Sequence, residues 1–391
     1  MKTERLATCF LLLASTMTIL ASATLAPALP AMTHAFHAIP HAEFWVKMTL
    51  TLPGLVIALC APLAGALVDK LDSRHILMHA LLLFSISGFL GFYWQESLWL
   101  ILMSRALMGL SVAFIMVSCT TIAGHYYTGP SFSKYMGWQS AFGGFGGVVF
   151  LSIAGVLADQ HWTWVFAIYA LALMVWPGVW RFVNAPCIST KLADTDSAVA
   201  SLNKGAFLGC CALAFIEIMV LYGLTIQLPF YLSDFHASPS TIGFAIAVFL
   251  FAMSSVSLCY GRIRRSLSIL QVHFLGWFII ALGFVVQSGA NSIASIIAAS
   301  VITGIGLGLI RPNLVVWLFE FVPVSRRGKA MGVIMTCYFT GQFLSPMLLE
   351  PISRRVGYPL FFHFVAVTIF AGLTMMACAL IVRRVRQGDM V

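Results

Sequence analysis

Three charged side chains stand well inside apolar stretches of this chain: Arg105, Glu217 and Arg311. A charge at the centre of a bilayer costs about 2.5–3.5 kcal/mol on insertion scales, so such a residue is expected to face a partner or a wet cavity. Glu217 lies about 13 residues into its apolar run, which at ~1.5 Å per residue sets it near the midplane. A carboxyl there can load and release a proton, or it can be locked in an ion pair with Arg311 and never titrate. Arg311 sits in Gly304-Ile-Gly306-Leu-Gly308-Leu-Ile-Arg311-Pro312-Asn313. The glycines permit close helix approach and Pro312 should kink the run. A guanidinium at a kink can fork onto a carboxylate or phosphate. Arg311 also comes late in its run, where a long side chain can snorkel to the interface.

Other constellations carry less. His34, His37 and His41 share helical spacing, but Pro40 interrupts them and only Glu43 supplies a carboxylate, so no metal site is expected. Nine cysteines match no zinc spacing; they read as free thiols used as small hydrophobes. His125, Tyr126 and Tyr127 form a polar cluster, yet no paired catalytic constellation appears and an enzyme is the least favoured class. No GxxxxGK[ST] motif occurs, so neither ATP nor another cofactor is expected to drive the protein.

The elements that must position these residues are membrane helices. Apolar residues make up 60% of the chain and charged residues 9%, against about 25% charged in a soluble domain. Twelve runs are long enough to span: 6–29, 46–68, 76–94, 98–122, 136–157, 163–182, 205–230, 240–260, 269–288, 292–316, 329–350 and 358–382. The first continues past Leu20 without polar relief and is taken as a retained span, not a cleaved signal. Of the 22 Lys and Arg, Arg105 and Arg311 fall within spans and Lys47, Arg354 and Arg355 in loops on one side; the other seventeen fall on the opposite side with both termini. By the positive-inside rule that side is cytoplasmic. The net charge of +9 therefore reports topology, not a nucleic-acid footprint.

The chain also repeats itself. At an offset of 195 residues Gly109 meets Gly304, Ile115 meets Ile310, Lys134 meets Lys329, Met136 meets Met331, Gly137 meets Gly332 and Gly146 meets Gly341. Two six-helix halves related by duplication are a plan of secondary transporters. The expected organisation is an all-α polytopic membrane protein: an N-terminal bundle (1–182), a short polar cytoplasmic linker (183–204) and a C-terminal bundle (205–391).

Local motifs resemble the major facilitator superfamily along the whole chain. Gly65-Ala-Leu-Val-Asp69-Lys70-Leu-Asp72-Ser-Arg74 resembles the GxLxDxxGRK loop between spans two and three, with Asp72 in place of the usual Gly. Arg105-Ala-Leu-Met-Gly109 resembles the RxxxG pattern of span four. Gly155 is what remains of the Gly-Pro-xx-Gly-Gly hallmark of drug antiporters, while Leu151 pairs with Pro346 at the repeat offset. Leu29-Pro30 pairs loosely with Leu228-Pro229, Trp162-Thr-Trp164-Val-Phe166 resembles the WRWxF opening of span six, and Arg326-Arg327-Gly328 an RG pair before span eleven.

The resemblance implies two pseudo-symmetric six-helix bundles around a central cavity lined by spans one, four, seven and ten. It implies a conformational latch at Gly65, Asp69 and Arg74, and an Arg105 that assists proton transfer, the alternative being a structural arginine on backbone carbonyls. Glu217, as an intramembrane acid, is the candidate for proton coupling, and helix packing is expected at Gly109, Gly146, Gly155 and Pro346. Arg311, Tyr222, Gln227 and Asn313 are the substrate-binding candidates. Thr16, Thr18, Thr24, Ser118 and Thr120 also lie on lining spans, although Ser and Thr often bond their own helix. The expected function is proton-coupled export of a small drug-like molecule or metabolite across a bacterial inner membrane. The rivals are transport of an organic anion such as a polycarboxylate or siderophore, and a transporter-like receptor without turnover. The partners implied are the substrate, protons and the lipid bilayer, and no nucleic acid.

Overall fold

The structure is a computed structural model that describes residues 2–68, 70–127, 129–183, 204–322 and 327–388. Helix α1 (Lys2–Ala23) leads through a short 3-10 turn (Ala26–Ala28) into α2 (Leu29–Ala35). The interruption falls where Pro27 and Pro30 each remove a backbone donor. Then follow α3 (Ala42–Val68), α4 (Ser73–Tyr93), α5 (Leu98–Tyr126) and α6 (Gly129–Gln160), a nine-residue 3-10 segment (Trp162–Ala170) and α7 (Leu171–Phe182). The second half holds α8 (Lys204–Ser233), α9 (Pro239–Ser266), α10 (Ile269–Ser288), α11 (Ile293–Phe321) and α12 (Arg327–Gly388). The polar join 183–204 lies outside the described residues except at Val183 and Lys204, as does Asp69 of the expected latch.

Eleven continuous stretches among the described residues are long and apolar enough to cross a membrane. The last of them, Ala330–Cys378, has 49 residues, more than twice the roughly 20 that one crossing needs. It breaks at Gly357, whose φ of 76° and ψ of 163° only glycine adopts at low cost. The stretch is therefore two crossings, and the protein is an integral membrane protein of twelve spans in two six-helix bundles. The face at which α1 begins is called the near face and the other the far face; short turns make successive crossings alternate between them.

The repeat is visible in packing. A Cβ on Gly109 of α5 would lie 2.6 Å from the Pro53 carbonyl oxygen of α3, and one on Gly304 of α11 would lie 2.6 Å from the Phe249 carbonyl oxygen of α9. Gly146 of α6 abuts Thr16 of α1, with 3.3 Å to a new Cβ; Gly341 of α12 abuts the Phe215 carbonyl oxygen of α8 at 3.1 Å. The same small residue thus seats the same helix pair in each half. Gly65, Gly137 and Gly332 have nothing within 4 Å of such a Cβ. Gly65, named for the latch, therefore makes no close helix contact here.

Two seams join the bundles. Along α6 and α9 the backbones nearly touch: a Cβ on Gly243 would lie 2.9 Å from the Gly155 Cα, and the Asp159 carboxylate accepts from the Ser240 amide at 2.9 Å. Along α3 and α12, Gly54 leaves room for the Gln342 side chain, 3.0 Å from where its Cβ would be. Towards the far face this second seam is made of charged side chains.

Candidate substrate and coupling site

The mid-membrane charges assemble in the C-terminal bundle. Glu217 of α8 is fully buried. The Tyr338 hydroxyl of α12 donates to its Oε2 at 2.8 Å, and Arg311 Nε of α11 stands 3.9 Å from its Oε1. The Arg311 guanidinium also lies over the Tyr338 ring, 5.4 Å from its centroid. Arg311 therefore turns to the site and does not snorkel to the near face, and 43% of its side chain stays exposed. An ion pair at 3.9 Å is at the long limit, and Glu217 Oε1 has no hydrogen-bond partner among the described residues. The carboxylate is thus held firmly on one side and loosely on the other, an arrangement that leaves one oxygen available for exchange. Tyr222, one and a half turns further along α8, is buried with its hydroxyl beside Ser22 of α1 and within the field of Arg311.

The remaining sequence candidates lie elsewhere. Arg105 is fully buried inside the N-terminal bundle, not in the site. It stacks over Tyr169 (4.6 Å) and Phe166 (5.2 Å) of the 3-10 segment, donates to the Gly88 carbonyl at 3.4 Å and meets Met108 Sδ at 3.2 Å. No carboxylate pairs with it among the described residues, and its contacts link α4, α5 and the 3-10 segment. Asn313 needs correction as a substrate ligand: its amide is spent, accepting from Tyr260 at 2.9 Å and donating to the Ile269 carbonyl at 3.0 Å. It pins α11 to α9 and α10. Gln227 is also displaced from the central site, accepting from Lys47 Nζ at 2.8 Å near the far face. Arg74 donates to the Trp180 carbonyl of α7, a contact within the first bundle and not between bundles. Thr16, Thr18 and Thr120 donate to carbonyls of their own helices, and Thr24, just past α1, donates back to the Leu20 carbonyl of α1.

The largest departure is at the far face. Lys47, expected in a loop, is the sixth residue of α3 and fully buried. Its ammonium donates to Glu43 Oε1 at 2.7 Å and to Glu350 Oε2 of α12, and it lies 4.3 Å from the Phe230 ring centroid of α8. Arg354 Nε donates to Glu350 Oε1 at 2.7 Å and its Nη2 reaches Glu43 Oε2 at 3.4 Å. The Tyr358 hydroxyl donates to Glu43 Oε1 at 3.2 Å. Just beyond α8, burial first and the nearby Glu43 carboxylate second hold the Asp234 carboxyl above the usual aspartate range. Every ion pair between the bundles, among the described residues, is in this cluster. Glu43 with Lys47 and Glu350 with Arg354 are both acid–base pairs four residues apart at helix ends, a pattern legible in the sequence; Tyr338 carries no such signal.

Two bundles of six helices, with an ion-paired carboxylate between helices at mid-membrane, define a membrane transporter and not an enzyme. The family model for the Major Facilitator Superfamily matches residues 11–231 and again 210–389, and the chain belongs to that family. It is 23% identical over 369 residues to Multidrug resistance protein 1 of Bacillus subtilis, covering 89% of this chain and 90% of that one. It is 25% identical over 304 residues to the quinolone resistance protein NorA of Staphylococcus aureus, covering 74% and 75%. The inward-open xylose transporter XylE from E. coli superposes with a TM-score of 0.73 at 13% identity, over 93% of this chain and 94% of that one.

Proposed function

We propose that this transporter exports a small organic molecule in exchange for protons, with Glu217 as the coupling carboxylate. The observation that carries the reading is the Glu217–Tyr338–Arg311 cluster: a buried carboxylate with one oxygen bonded and the other facing a cation at long range. Proton uptake on Glu217 removes its attraction for Arg311; loss of the proton restores it. A substrate group that competes for Arg311 or for the free oxygen is thereby linked to the protonation state. Names of relatives that point to multidrug and quinolone resistance support efflux of drug-like compounds.

The positive charges at the near face support both termini in the cytoplasm, of a bacterium by likeness to the relatives. On that orientation the far face is outside, and the present arrangement is closed to the outside. The rocking bodies are residues 1–182 and 205–391, with 183–204 as the join. The half-exposed Arg311 favours a second reading, in which the substrate bears a carboxylate or phosphate.

Purified protein in liposomes with an imposed pH gradient tests both. Quinolones and lipophilic cations on one side and polycarboxylates on the other are screened for substrate-dependent proton flux, with Arg311→Ala alongside. Flux with the first group that survives Arg311→Ala supports drug exchange. Flux with polycarboxylates that is lost in Arg311→Ala supports the anion reading. Substrate movement without any proton flux contradicts coupling.

A further inference from the structure

The charged cluster at the far face has a geometry of its own. Glu43, Lys47, Glu350 and Arg354 form a four-sided ring in which acids and bases alternate. Two sides run within a helix: Glu43 with Lys47 on α3, and Glu350 with Arg354 on α12, each four residues apart. The other two sides, Lys47 with Glu350 and Arg354 with Glu43, cross between the bundles. Lys47 and Glu350 form a buried inner layer, while Glu43 and Arg354 are partly exposed at the rim.

We infer that this ring is the outer gate, built to open by exchange of partners without stranding a charge. A single buried pair split across a seam would leave two uncompensated charges in a low-dielectric region, which makes such separation very unfavourable. Here each charge has a second partner on its own helix. Pulling α3 from α12 breaks both cross-seam sides and leaves two neutral i,i+4 pairs, a spacing at which opposite charges on a helix face attract. The hydrogen bonds of Lys47 to Gln227 and of Tyr358 to Glu43 also cross the seam and part with it, but the groups they leave on the C-terminal side are neutral. The ring is thus a lock when closed and two self-contained pairs when open.

The gate is tested by reactivity behind it, with no transport needed. Thr51 lies one turn inward from Lys47 on the same face of α3 and is fully buried. Every described cysteine lies in the near-face half of its helix, so a membrane-impermeant maleimide applied to intact cells meets none of them from the far face. Thr51→Cys reports gate opening, and Asn291→Cys in the exposed far-face turn before α11 is the positive control. This inference rests on the proposed orientation; lack of labelling at Asn291→Cys would refute that orientation alone.

Labelling of Thr51→Cys is expected to be slow with the ring intact. Glu350→Gln, which removes one acid from both a cross-seam and a helical side, should raise the rate at least tenfold. Arg354→Gln, at the more tolerant rim, should raise it severalfold. Reversing Lys47 and Glu350 alone sets Glu43 against a new acid and Arg354 against a new base, and should leave the gate open. Reversing all four, with Glu43→Lys, Lys47→Glu, Glu350→Arg and Arg354→Glu together, rebuilds every side and should return labelling to within threefold of the starting rate. Arg354→Gln labelling that matches the intact ring, or a fourfold reversal no slower than the twofold one, would overturn the inference.

Discussion

The two seams between the bundles occupy equivalent places in the repeat and are built from opposite materials. Gly155 and Glu350 stand 195 residues apart, as do Lys47 and Ile242. Where α6 meets α9, Gly155 lets the backbone of Gly243 approach almost to contact; where α3 meets α12, Glu350 binds a buried lysine. One seam is held by close backbone packing, which is lost if a side chain intrudes. The other is held by charges that can exchange partners. The central site has the same asymmetry: Glu217, Arg311 and Tyr338 correspond to Ser22, Met116 and Gly143 in the first half. Duplication preserved the glycines that seat helices, as at Gly109 and Gly304, while Lys47, Glu217, Arg311 and Glu350 have no ionisable counterpart in the other half; Arg354 has one, Asp159.

That contrast can be broken most severely at the glycine seam. Gly155→Leu places a branched side chain where a Cβ already comes within 2.9 Å of the Pro239 carbonyl oxygen and the Ser240 Cα. Transport at matched expression should fall more than tenfold, whereas a seam tolerant of leucine would mean that α6 and α9 need not touch. A smaller effect sharpens the separation of structural from functional polar residues. Asn313→Ala leaves the Tyr260 hydroxyl and the Ile269 carbonyl unpaired, a loss of about 1–3 kcal/mol. The unfolding free energy in detergent should fall by that amount and the thermal midpoint with it, with substrate affinity unchanged; a drop in affinity at unchanged stability would return Asn313 to the binding site.

Most of the architecture was legible in the sequence, because a bilayer leaves few alternatives: apolar length gives spans, and the repeat gives their grouping. The helix break at Gly357 falls in the gap between the last two predicted spans. Within the site, Glu217 and Arg311 were legible as costly intramembrane charges, and the structure brings them together. Rotation about the helix axis was not legible. Apolar runs that are buried or lipid-facing on every side carry no amphipathic stripe to orient them, so Asn313 and Gln227 could not be told from cavity-lining residues. The surroundings of Arg105 were hidden for a related reason: Phe166 and Tyr169 pack against its guanidinium, and aromatics 61 and 64 residues away leave no trace beside the arginine in sequence. Lys47 was hidden by its position at a span boundary, where a loop lysine and a buried one look alike.

The central claim is that coupling resides in the C-terminal bundle, at Glu217, and that the buried arginine of the N-terminal bundle is structural. Substrate-dependent proton flux into liposomes, compared between Glu217→Gln and Arg105→Met at equal protein content, tests it directly. The account predicts flux at background level in Glu217→Gln and at least a third of the original rate in Arg105→Met. Flux that persists in Glu217→Gln and vanishes in a folded Arg105→Met protein would contradict it and move the coupling site to the first half.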